Sequence, residues 1–304
     1  MPNIHKSQLL SNFQKRFGEV HKLDDSQSLF VIGDNAARVY IRYSKIHPGG
    51  KTFFGLRKSD LDQMEGHNSF ICFLVDNNSP PIFVPYVDFE EVFRTAKPAD
   101  DGQYKVVVIY KNDVTELYIP HHGRFNVEGY IGIDYLEQNI DNKNLMEKRD
   151  FSHSQIQTLL AGIGHLKGFD IFVPSNNMDA IDWTLTKKFP LLQMIPNGYD
   201  RIKAILSEID VIWVTSGRHS VETLFEVEHS TPFYSGLLRF NDVLLTDPKV
   251  SRFMIVSNDS RREQFIRQMF RPTFKKSGLA DIVSFLEYTN VYDWHQRLSK
   301  GGLP

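Results

Sequence analysis

The chain has 304 residues, enough for one large domain or two ordinary ones with separate cores. Its 35 basic and 37 acidic residues leave a net charge of −2, so no global basic excess points to nucleic acid, although a local patch can suffice. A single cysteine excludes a disulfide framework and a cysteine-built zinc site, and no apolar run reaches membrane-spanning length.

That cysteine, Cys72, lies in the run SFICFLVD and reads as a small buried hydrophobe. The N-terminal stretch has no long apolar segment of the secretory kind, so the expectation is a soluble, cytoplasmic protein in a reducing compartment. Residues 6–18 read as a short amphipathic helix. From residue 29 to about 135 the texture is strand-rich: SLFVIG, RVYIRYSK, SFICFLVD, PIFVPY, KVVVIYK and VTELYIP are short apolar or alternating runs separated by Asn, Pro, Gly and Asp. KNDV reads as a hairpin turn, and the Ser of KSDLDQME as the cap of a short helix. The polar stretch 137–150, EQNIDNKNLMEKRD, reads as a linker, dividing the chain into domains at 1–140 and 150–304.

The second half is led by a helix. SHSQIQTLLAGIGHLKG carries Ile156, Leu159, Leu160, Ile163 and Leu166 at helical spacing, with Ser152 or Ser154 to cap it and Gly168 to end it. Strand FDIFVP, a helix at 199–207, strands IDVIWV and VETLFEVE joined by TSGRHS, a helix around 234–245, strand RFMIVS, helix RREQFIRQMF and strand IVSFLEY follow. This order predicts an α/β chain: a mixed sheet with helices against it in the C-terminal domain, after a strand-rich α+β N-terminal domain.

Three acids interrupt the apolar pattern. Asp210 begins one strand, and Glu226 and Glu228 end the next. In a hairpin the start of one strand lies beside the end of the other, and side chains two apart share a face. The three carboxylates then converge at one end of the sheet, with Val227 turned to the other side. Like charges so close together repel unless a cation neutralises them. All-oxygen ligands suit Mg²⁺, with Mn²⁺ as a substitute, and such a site supports attack of water on a phosphodiester. The competing reading is that of solvated acids at strand ends, because an E-x-E pair alone is a weak signal.

An Asp ahead of a strand-borne pair of acids resembles the PD-(D/E)XK nuclease superfamily, which includes many type II restriction endonucleases. GFDIFVPSNN, IDVIWV, FEVEHSTPFYSGLLRFNDVL and DSRREQFIRQMFRPTF extend the likeness to a group of bacterial restriction-endonuclease-like proteins, over roughly residues 152–290. The resemblance implies a restriction-endonuclease-like fold for the C-terminal half and a bacterial-type cytoplasmic, metal-dependent endodeoxyribonuclease. Asp210 and Glu226 match the metal-binding acids. Glu228 falls where most members carry Lys, as in those restriction enzymes that use Glu there, and without a positive charge the site leans more on metal. Glu228 could also orient the attacking water as a general base. Double-stranded DNA is the implied partner, and cutting both strands implies a homodimer. A catalytically inactive DNA-binding protein on the same fold and an RNA nuclease are the alternatives.

Several further residues are candidate DNA contacts. Asn176 and Asn177 follow a strand that ends near the acids, where they either touch substrate or make a turn. Ser230, Thr231, Tyr234 and Ser235 lead into a helix whose free N–H groups could hold a phosphate, and Arg239 lies one turn further on. In the N-terminal half the basic stretch IRYSKIHPGGKTFFGLRKSD offers Lys45, Lys51, Arg57 and Lys58, and YIPHHGRFN offers Arg124; both read as candidate backbone-contacting loops. His229, by alternation, leaves the acid face and reads as structural. The helix after the linker carries Gln155 and Gln157 where related nucleases often place a further acid, so no metal ligand is assigned there.

Overall fold

The computed structural model describes residues 3–23, 26–76, 79–111, 114–146, 151–250 and 252–300. The chain divides into two units, Met1–Lys148 and Arg149–Lys300, each described by itself.

The first unit contains α1 (Ile4–Phe17), β1 (Val20–Lys22), β2 (Leu29–Ile32), β3 (Ala37–Ser44), β4 (Lys51–Arg57), α2 (Lys58–Asp62), β5 (Ser69–Val75), β6 (Ile82–Pro85), α3 (Tyr86–Thr95), β7 (Gln103–Lys111), β8 (Val114–Ile119), β9 (Gly123–Asn126) and α4 (Ile133–Met146). One sheet has the order β1-β2-β3-β5-β6 and a second the order β4-β7-β8-β9. Strand β5 shows why they form layers. Phe70, Cys72 and Leu74 pack with Leu9 and Phe13 of α1 and Leu136 and Ile140 of α4, whereas Ile71 and Phe73 pack with Phe54 of β4, Val106 and Val108 of β7 and Leu117 of β8. A strand covered on both faces reads as a continuous apolar run, as SFICFLV does. Cys72 is fully buried, and burial raises its thiol pKa.

Some expectations change here. The stretch read as a linker is helical through Met146, and residues 147–150 lie outside the described residues. Its polar residues hid a narrow apolar seam, in which Leu136 and Ile140 reach the core. The KTFFGLR segment is strand β4 rather than part of a loop, with Thr52, Phe54 and Leu56 inward and Lys51, Phe53 and Arg57 outward. Helix α2 begins at Lys58, with no side-chain cap from Ser59. The residues between β7 and β8, Asn112 and Asp113 of the expected turn, lie outside the described residues, although Lys111 pairs with Val114 across them.

The second unit contains α5 (His153–Leu166), β10 (Phe169–Phe172), α6 (Lys203–Leu206), β11 (Val211–Thr215), β12 (Ser220–Val227), α7 (Phe233–Thr246), β13 (Phe253–Ser257), α8 (Arg262–Met269), α9 (Pro272–Ser277), α10 (Leu279–Ile282), β14 (Val283–Glu287) and α11 (Tyr288–Ser299). Its mixed sheet has the order β10-β11-β12-β13-β14, antiparallel from β10 to β12 and parallel from β12 to β14. Ile212, Val214 and Leu224 face Phe233, Leu237 and Phe240 of α7. On the opposite face Trp213 packs against Phe225 and Trp294 and donates its indole N–H to the Leu160 carbonyl of α5 at 3.0 Å. Helix α5 comes so close because residue 164 is glycine; a Cβ there would collide with the Trp213 ring.

Candidate active site

The acids sit where β11 begins and β12 ends. Val211 pairs with Phe225, so Asp210 falls beside Glu226, and the Val227 N–H donates to Asp210 Oδ2 at 2.8 Å. Glu226 continues the side of β12 that carries Leu224 and therefore points toward α7. Glu226 is 1 % exposed and Glu228 4 %, and each feels the charges around it, Asp210 included.

Burying a carboxylate is unfavourable unless something compensates. For Glu226 the compensation is Arg239 of α7, whose Nε and Nη2 donate to Oε1 at 2.7 Å and Oε2 at 2.9 Å. Burial still pushes the Glu226 carboxyl up to about 8, with Asp210 and Glu228 adding to the rise and Arg239 opposing it. Burial also raises Glu228, against a hydrogen bond from the Thr231 hydroxyl. Helix α7 lies close to the acids at Gly236, where a Cβ would lie 2.8 Å from Glu228 Oε1 and 3.3 Å from Glu226.

Helix α5 supplies the opposite wall. A capping box between Ser152 and Gln155 fixes its first turn. His153, the next residue, places Nε2 3.2 Å from Asp210 Oδ1, and the hydrogen bond to Asp210 raises the His153 pKa. Gln157 donates its amide to the Asp210 carbonyl at 2.7 Å, and its own buried oxygen has no partner among the described residues. The turn after Glu228 is clamped by Arg261, which donates to the carbonyls of Glu228 at 2.7 Å and Thr231 at 2.5 Å and lies over the Phe233 ring. Ser257 donates its hydroxyl to the same Glu228 carbonyl at 2.6 Å.

The other candidates are dispersed. Asn176 and Asn177 occupy a 3-10 turn after β10, whose last residue, Phe172, pairs with Ile212; they lie at the acid end of the sheet, with Asn176 exposed. Ser230 is exposed. Thr231 is engaged with Glu228, Ser235 donates to the Pro232 carbonyl at 3.3 Å, and Tyr234 lies beneath Arg271. Helix α7 has no side-chain cap. Arg239 points inward to the acids, its fork closed on Glu226. His229 stacks on Tyr288.

In the first unit Lys45, Lys51, Arg57, Lys58 and Arg124 are exposed. Lys51 and Arg57 stand at opposite ends of β4, six residues apart or about 20 Å along an extended strand, so they belong to no single loop. Lys58 is bound to Asp62 and Arg124 to Glu116. His153, Gln157 and Arg261 went unassigned in the sequence. Gln157 was visible only as the residue standing where related nucleases place an acid.

Residues 135–300 match the family described as the type II restriction enzyme NmeDI C-terminal domain. The chain belongs to this family. The match spans more than half of the 304 residues and takes in the whole acid site. No curated protein matches the chain.

The chemistry of the donors fits a hard divalent cation: three carboxylates, two of them buried, share one corner. Their present arrangement does not yet form the cage. Among the described residues no group of three or more His, Cys, Asp or Glu side chains is placed to hold a metal ion. Both Glu226 oxygens are turned to Arg239, one Asp210 oxygen to Val227 and the other to His153.

Proposed function

We propose that this chain is a metal-dependent endodeoxyribonuclease of the type II restriction kind, built on the PD-(D/E)XK plan, that hydrolyses phosphodiester bonds of double-stranded DNA. The observation that carries the reading is the convergence of Asp210, Glu226 and Glu228 at one sheet corner inside the segment matched by a restriction-enzyme family. Asp210 and Glu226 would hold Mg²⁺, or Mn²⁺ in its place. The bound ion would polarise the phosphodiester and supply a nucleophilic water at neutral pH. Glu228 completes the site and can accept the proton of the attacking water. Gln157 and the Val227 N–H fix Asp210, and the Arg261 clamp fixes the backbone at Glu228. The first unit would recognise the DNA, and a two-fold homodimer would supply the two centres needed to cut both strands.

Purified protein should cut plasmid DNA with Mg²⁺ or Mn²⁺, hardly at all with Ca²⁺ alone and not in EDTA. Full activity in EDTA would overturn the assignment. A second reading, an inactive DNA-binding protein on the same fold, draws on the Arg239 fork, which already neutralises Glu226. DNA left intact under both metals but still bound would select it. Offering RNA beside DNA separates the two nuclease classes.

A further inference from the structure

Arg239 is unusual in what it spans. Two of its nitrogens take both oxygens of Glu226, the most deeply buried acid of the cluster, at 2.7 and 2.9 Å. Its third nitrogen faces Glu208 at 3.9 Å, and the Glu208 side chain is 69 % exposed. The Arg239 side chain is itself 26 % exposed, so the guanidinium lies on a path from the buried acid to solvent. A guanidinium keeps its charge at any working pH and grips a carboxylate through a rigid two-point fork. Both Glu226 oxygens are committed to that fork, and a hard cation needs at least one of them. Two cations cannot share this carboxylate at ligand distance without facing each other across a few ångströms of low-dielectric interior.

We propose that Arg239 is the resident counter-cation of the acid cluster and that its fork on Glu226 and a divalent ion at Asp210 and Glu226 exclude one another. Ion binding turns the guanidinium outward toward Glu208, and loss of the ion brings it back. Arg239 is then a positioning residue that holds Glu226 oriented between ion-bound states. The inference rests on the metal-site reading of Asp210 and Glu226 given above, and its test separates the two.

The intact protein, labelled with ¹⁵N, is titrated with Mg²⁺ alone while binding heat and the arginine Nε–H resonances are followed. R239K, which keeps the charge but cannot fork, identifies the Arg239 signal by its absence. The expected result is a protected Nε–H signal that gives way to a solvent-exchanging one in step with ion occupancy. D210N should show neither the heat nor the shift. R239K should bind Mg²⁺ about tenfold tighter, the order of factor that a charge-assisted fork commands. Ion binding to R239K but not to the unmodified protein would also support the exclusion. Saturation with the Nε–H signal still protected overturns it and leaves the metal site standing. Absence of ion binding in both proteins overturns the exclusion and the metal site together.

Discussion

Strands β5 and β12 occupy the same kind of position. Each is internal to a five-stranded sheet, with one parallel and one antiparallel neighbour, and each is covered on both faces. Their sequences part at the C-terminal end. β5 is apolar along its run and leads into Asp76, which is half-buried and accepts the Ile46 N–H at 3.1 Å. β12 ends with Glu226 still inside, followed by a buried Glu228, and an arginine, a threonine and a backbone clamp surround them. The first arrangement serves only the core. The second gives up stability at the one place in an open α/β sheet where ligands are usually received, outside the carboxyl ends of the strands.

The largest contrast should come from exchanging the two kinds of damage. Glu226→Gln or Asp210→Asn should reduce cleavage by a factor of at least about a hundred, as loss of one preorganised electrostatic group does, with the circular dichroism spectrum and DNA binding retained. Phe73→Ala in β5 should destabilise the protein by about 3–5 kcal/mol in urea unfolding and leave the rate per folded molecule unchanged. A Glu226→Gln protein that cuts at the normal rate removes that residue from the site. Glu228→Gln should be nearly as severe. Measurable cleavage by Glu228→Lys would support placing residue 228 at the superfamily's lysine position.

A stability profile against pH sharpens the same contrast. Burial raises the Glu226 carboxyl from 4.5 to about 8, so between those values the folded state holds a proton that the unfolded chain has released. Stability from this group is therefore full below pH 4.5 and declines as pH rises toward 8. The difference between the unmodified protein and Glu226→Gln, read by urea unfolding at several pH values, should change by on the order of a few kcal/mol across that window. A flat difference would mean that Arg239 holds Glu226 charged throughout.

Gly236→Ala tests how closely α7 must lie on the acids. Its methyl group would sit 2.8 Å from Glu228 Oε1, so the carboxylate has to move. Cleavage should fall about tenfold, measured under saturating Mg²⁺, while the melting temperature moves by only a few degrees. The smallest effect concerns the first unit. Neutralising Arg57 and Lys58 together should flatten the dependence of log K on log salt by about one phosphate contact rather than two, because Lys58 is already paired with Asp62. The same measurement on a fragment beginning near Asp150, with a cleavable and a scrambled duplex, assigns recognition. A fragment that discriminates as well as the intact chain places base reading in the second unit.

The hairpin that gathers the acids was legible because alternation and a polar turn suffice to pair IDVIWV with VETLFEVE. The mixed sheet and its helices α5, α7 and α8 were legible from the same periodicities, whereas the helix expected at 199–207 spans only Lys203–Leu206 and α9, α10 and α11 were not read. Strand β4 was obscured by its two basic residues, Lys51 and Arg57, and by the HPGG before it, although Thr52, Phe54 and Leu56 alternate cleanly once the pairing with β7 is known. Helix α4 was obscured by a mainly polar surface. The partners of the acids left no readable trace. Arg239 meets Glu226 only because α7 folds back over β12, and Arg261 grips carbonyl oxygens, which every residue possesses. His153 was one more polar residue beside a good helix cap until the cap was seen to stand over Asp210.

The capping box at the head of α5 also sets a rule for recombining this protein with its relatives. Ser152 and Gln155 bind each other reciprocally and hold His153 and Gln157 over Asp210. A chimera spliced between residues 148 and 151 inherits this device whole. One spliced only a few residues later, between Ser152 and Gln155, takes its cap from one parent and its N3 residue from the other. Such a junction would leave every carboxylate in place and still misalign the centre, so the exchangeable cassette begins before Ser152 rather than at the first acid.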